Sequence, residues 1–256
     1  MKLHCLQKMR QSKPLSKVGA EHNEALANYY QEVIQAKAIG KTEAEVFNEF
    51  FGNIEEAIVI EAEATTGRTD AAGSLVAALV TNDMLSAEAA TFIVQMETLL
   101  NQPEANLESL IANINAIQNK AVGKLEGQPL NEVLAYAETA KSSLVFWAAN
   151  IDELSSAETL RVINPDTETA RRAIVMVRKP NIFQRIGGSA ASDAAGAAAG
   201  AAYGAGVALI AGRDPAQGAI TGASIAGPTS SAAGWDRGKL CVVVDFVSIT
   251  LAVLAR

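Results

Sequence analysis

Two histidines, His4 and His22, and two cysteines, Cys5 and Cys241, are all that this chain of 256 residues offers to the chemistry usually built on those side chains. No Cys/His spacing of a zinc site occurs, and the His-Glu-x-x-His pattern is missing. A Cys5–Cys241 disulfide would require the two ends of the chain to meet, so both cysteines read as free thiols. Aromatic side chains are scarce as well. Thirteen stand against 48 alanines, so a core must come from aliphatic contacts and close backbone approach more than from large rings. Nothing after Met1 supplies the apolar run of a secretory signal, which leads to the expectation of a cytoplasmic or membrane-associated protein.

Phosphate-binding loops fail on inspection. Gly40, Lys41 and Thr42 spell the end of one, but Gln35 occupies the place of its first glycine, and the preceding pattern is helical where a strand is required. Gly204 and Gly206 begin a Gly-x-Gly-x-x-Gly whose last position is Leu209. His22 and Glu24, two residues apart, point to different helical faces, so His22 is assigned to a cap or an interhelical hydrogen bond rather than to a metal. Glu55 and Glu56 are adjacent and cannot converge as a catalytic pair, and Arg171 with Arg172 reads as a solvated basic turn. With these set aside, the expectation is a non-enzyme with no cofactor and no metal site.

Charge is present but unevenly spread. The first twenty residues carry five bases and no acid, whereas residues 21 to 111 carry 16 acids against three bases. That acidic stretch repels phosphate, so no nucleic-acid partner is expected. The remaining chain is close to neutral, and the total is -7.

Helical periodicity fills the acidic part. Leu26, Tyr29, Tyr30, Val33 and Ile34 recur at steps of three and four, and Gly40 ends that helix. Thr42 with Glu45 forms a capping box for a short helix through Phe47 and Phe51. Ile54 to Thr66 is ambiguous because Ile58, Val59 and Ile60 suit a strand, but the surrounding Glu and Ala favour helix. Asp70, Ser86 and Asn106 are candidate N-caps, and Pro129 precedes a further helix through Trp147. The prediction is an all-α antiparallel bundle over residues 21–160 after a basic tail at 1–20, with no segment that would build a sheet. A basic connector at 161–186 follows, broken by Pro165, with Thr167 as a cap and Pro180 as its end.

Twelve of the 19 glycines then fall between Gly187 and Gly238. Gly188, Ser192, Gly196, Gly200 and Gly204 recur every fourth residue, a stripe almost without side chains on one helical face. Gly218 and Gly222 repeat the device after an Arg213-Asp214-Pro215 turn, so residues 187–235 read as a glycine-zipper hairpin. Several glycines inside a helix, each costing about 1 kcal/mol relative to alanine, call for compensation by tight packing. Ala194 to Ala211 and Pro215 to Trp235 are free of charge and approach the length of a membrane span, although Pro228 would shorten the second if it broke the helix. The tail at 236–256 is apolar and fits a packed terminal element or an added strand.

The His22–Leu26 sequence HNEAL, the acidic helices after it, Trp147 and the Gly/Ala stripe together resemble a group of uncharacterised bacterial proteins of the Bacteroidetes, over most of residues 21 to 234. The glycine-rich half is similar to the Gly/Ala segments of bacteriocin-like peptides, a resemblance that implies membrane activity. Two expectations therefore stand side by side. The zipper serves membrane association or self-association, or else it packs within a soluble helical interaction module whose protein partner the sequence does not name.

Overall fold

The computed structural model describes residues 15–51, 58–62, 70–102, 106–156, 180–237 and 240–255. Its helices are α1 (Val18–Ala38), α2 (Glu43–Phe51), α3 (Asp70–Thr81), α4 (Ala87–Leu100), α5 (Leu107–Val122), α6 (Gly127–Ser156), α7 (Pro180–Ile210), α8 (Pro215–Arg237) and α9 (Phe246–Ala255). The fold is all-α, with a single two-stranded ribbon of β1 (Ile58–Ala62) and β2 (Leu240–Val244) among the described residues.

Local chemistry sets the helix ends. Gly40 adopts φ +81°, which lets its own N–H donate to Lys37 O and the N–H of Lys41 donate to Ala36 O, closing α1. Thr42 and Glu45 form the expected box: Thr42 N donates to Glu45 Oε2 at 2.7 Å and Glu45 N donates to Thr42 Oγ1 at 3.3 Å. The Ser86 hydroxyl accepts from Ala89 N and the Asn106 side chain from Glu108 N, so both act as N-caps.

Two expectations need correction. Residues Ile58–Ala62 form a strand, not a helix, and pair antiparallel with β2 from Ile58 opposite Val244 to Ala62 opposite Leu240. A run of β-branched residues is equally apolar on both templates, and the valines of β2 supply the edge that decides for strand. The bundle therefore does contain a segment that builds a small sheet. Pro228 does not break α8, which continues to Arg237. An internal proline costs about 3 kcal/mol through its missing N–H and ring clash, and the dense packing of α8 offsets it. The residues around Pro165, Thr167, Arg171, Arg172, Arg178 and Lys179 lie outside the described set, as do His4, Cys5, Glu55 and Glu56.

Packing places α7 at the centre, between α8 on one side and α6 on the other, while α1 lies against both α6 and α8. The main core runs from Leu26 on α1 through Trp147 on α6 to Val253 on α9, so the glycine-rich helices share one interior with the acidic ones. Strand β2 lies across α7 and α8, where Ser230 Oγ accepts from Val243 N at 2.9 Å. Helix α7 starts at Pro180, ahead of Gly187, and runs unbroken through the glycine stripe.

Candidate helix-packing site

The stripe glycines of α7 meet α8 in antiparallel register. A Cβ added to Gly200 would collide with Gly222 O and lie 2.7 Å from Ala226 Cβ; one added to Gly204 would collide with Gly218 O. Gly196 has the same relation to Ser230 Oγ and, at 2.6 Å, to Ala226 O. Gly218 and Gly222 return the contact against the carbonyls of Gly204 and Gly200. These glycines are sites of backbone-to-backbone contact, where no other residue type fits without separating the helices. Further toward the start of α7, Ser192 is buried and Gly188 half-buried. By contrast Gly206, on the same helix, has open space where its Cβ would stand.

Beside the stripe, at the residue after Ser192, lies a polar cluster that the spacing of small residues did not reveal. Asp193 on α7 is fully buried, and its Oδ2 accepts from Ser143 Oγ and, at 3.2 Å, from Trp147 Nε1, both on α6. His22 of α1, also without exposure, brings Nε2 to 3.3 Å from the same oxygen, close enough for an ion pair although not aligned as a hydrogen bond. Its Nδ1 lies 3.1 Å from Asn23 Oδ1, and Asn23 Nδ2 donates to Ser142 O at 3.0 Å. The bare face of Gly227 on α8 leaves room for the ring, since a Cβ there would stand 3.1 Å from His22 Cδ2. His22 thus sits at the contact of α1 with α7, without the aligned interhelical hydrogen bond expected of it. Asp193 is the only charge between Gly188 and Gly212, and a lone acid in so apolar a run is the signal that would have found it.

Serine, histidine and aspartate meet here, but not as a catalytic relay. Ser143 donates to the aspartate and not to His22, and Ser143, His22 and Asp193 are all fully buried. The cluster fastens three helices.

Two other acids lie inside the bundle. Glu97 of α4 is fully buried, and neither carboxylate oxygen has a hydrogen-bond partner among the described residues. Burial pushes its carboxyl well above the usual range. Burial and then the nearby Glu97 push the Tyr136 phenol upward as well. Glu132 of α6 is raised by burial, partly countered by Ser86 N at 2.9 Å, Ser86 Oγ at 2.5 Å and Gln128 Nε2 at 3.0 Å. Glu132 therefore anchors the N-cap of α4 to α6. Among the described residues no group of three or more His, Cys, Asp or Glu is placed to hold a metal ion.

No protein-family model, no curated protein and no solved structure matches the chain.

Proposed function

We propose that this is a non-enzymatic helical protein in which a glycine zipper, formed by α7 and α8, is both the packing element of the fold and the part that associates with a membrane. The observation that supports this reading is the direct backbone contact of Gly200 with Gly222 and of Gly204 with Gly218. It gives the hairpin a contact of its own, because van der Waals contact between backbones works in lipid as it does in a core. Within α7 the segment Ile186–Ile210 is long and apolar enough to cross a bilayer by length and composition. The likeness of the glycine-rich half to bacteriocin-like segments points the same way.

A second reading, a helical interaction module that stays in water, has its own observation. The span-competent segment is 72% buried against the other helices, and Asp193 inside it is held by His22, Ser143 and Trp147. Removing that carboxylate from its partners into lipid is costly. Sedimentation of the full chain with vesicles, together with release of an entrapped dye, separates the two. The membrane reading expects the protein in the pellet and dye release. Protein left in the supernatant with dye retained leaves the interaction module as the function.

A further inference from the structure

Helix α9 is apolar apart from Ser248 and Thr250. Ile249 and Val253 on its inner face are buried, yet Val247, Leu251 and Leu254, spaced four and three residues apart on the outer face, are 48%, 63% and 45% exposed. An exposed apolar face of this kind marks a surface for protein or lipid to cover. The other conspicuously exposed apolar side chains nearby are Leu209 at 68% and Ile210 at 91%, the last two residues of α7. Arg213 joins the two groups: its Nη1 donates to Val253 O at 3.2 Å and its Nη2 to Leu254 O at 2.6 Å, pinning the end of α9 to the hairpin turn. Tyr203 and Thr250 add a hydroxyl contact of 2.9 Å between α7 and α9.

Charge narrows what could cover this surface. Asp214 turns its Oδ1 to the backbone N–H of Ala216 at 3.0 Å, so its carboxylate is spent on the start of α8, where the helix dipole offsets it. Arg213 is exposed and keeps further N–H donors beyond the two it gives to carbonyls. A cavity of about 320 Å³ opens beside it, lined by Asp214, Gln217 and Thr221 as well as by Ala208 and Val253. A guanidinium at the rim of an apolar surface, next to a polar recess, complements a phosphodiester headgroup above acyl chains.

We propose that the hairpin turn and the outer face of α9 form one docking surface for a bilayer containing anionic phospholipid. This rests on the membrane reading above and names the face that meets the bilayer first.

The test uses the full chain and vesicles of phosphatidylcholine with phosphatidylglycerol, compared with phosphatidylcholine alone. The double variant Ile210→Gln, Leu251→Gln changes two exposed side chains, and circular dichroism checks that it folds. Its partition onto the mixed vesicles is expected to fall by at least about tenfold, as the loss of two large apolar contacts predicts. Arg213→Gln is expected to lower binding to the mixed vesicles about fivefold and to leave binding to phosphatidylcholine unchanged. Wild-type binding that the double variant retains overturns the proposal. So does a concentration-dependent dimer, dispersed by the double variant, in a protein that ignores vesicles, because the face then belongs to a second copy. Dye release reads the hairpin separately. Patch-dependent binding without release supports docking and removes insertion, whereas release that survives in the double variant at wild-type binding supports insertion and removes this docking face.

Discussion

The two ends of the interior are built from opposite materials. Where α1 meets α2, Tyr29 packs its ring against Tyr30, Phe47, Phe50 and Phe51 with centroids 5.0 to 6.2 Å apart, and Tyr30 continues to Trp147. Where α7 meets α8 the contact is carbonyl against glycine, with almost nothing between the backbones. Five of the chain's 13 aromatics are gathered at the first interface, whereas the second is made by omission of side chains. The aromatic end gains from apolar area removed from water, while the hairpin gains from many close dispersion contacts at short range. The first should fail when atoms are removed, and the second when atoms are added.

The largest effect is expected at the hairpin. Leucine at position 222 would drive its Cβ into Gly200 O, and no rotamer relieves a clash that starts at the backbone. Gly222→Leu is expected to cost more than about 3 kcal/mol, the upper range for overpacked cores, and to abolish the cooperative thermal transition in calorimetry. Retention of a native transition would mean that the helices separate easily and that the contrast is false. At the other end, Tyr29→Ala is expected to lower stability by about 3 to 5 kcal/mol through the cavity left among four rings, read from chemical denaturation.

A smaller change, of opposite sign, is expected between the two ends. Glu97 is buried without a partner and its carboxyl is raised, so the folded chain keeps a proton that the unfolded chain loses near the ordinary carboxylate pKa of about 4. Stability therefore falls as pH rises from that range toward the raised value, and stays lower above it. Glu97→Met is expected to stabilise the protein by about 1 to 3 kcal/mol at mildly alkaline pH and to lose that advantage at acid pH. An advantage independent of pH would place the carboxylate in contact with a compensating group.

Much of the helical framework is legible in the sequence because its signals are local. Thr42 with Glu45, Ser86, Asn106 and Gly40 act within a turn of where they stand, and the spacing of Leu107, Leu110, Ile114 and Ile117 sets the buried face of α5 unaided. The strand at Ile58 is not local in this sense: its partner β2 lies near the other end of the chain, and nothing in Ile58–Ile60 announces it. The recurrence of glycine every four residues is likewise plain, whereas the pairing of 200 with 222 and 204 with 218 is a tertiary fact. The buried acids are the hardest to read. Glu97 sits in a helix between ordinary neighbours and looks like a solvated charge, and Asp193 borders a run that attracts notice for having no charge at all.

A single pair of alanine substitutions on α7 tests most directly whether backbone contact holds the hairpin. Helix propensity favours both Gly200→Ala and Gly206→Ala by up to about 1 kcal/mol. Only at Gly200 does the added methyl meet Gly222 O and Ala226 Cβ, while Gly206 faces open space. Thermal denaturation of the two full-length variants is expected to show Gly206→Ala stabilised by about 0.5 to 1 kcal/mol and Gly200→Ala destabilised by about 2 kcal/mol, in the range of overpacked sites. If both substitutions raise stability by similar amounts, α7 and α8 are not in backbone contact and the glycine stripe does not hold the fold together.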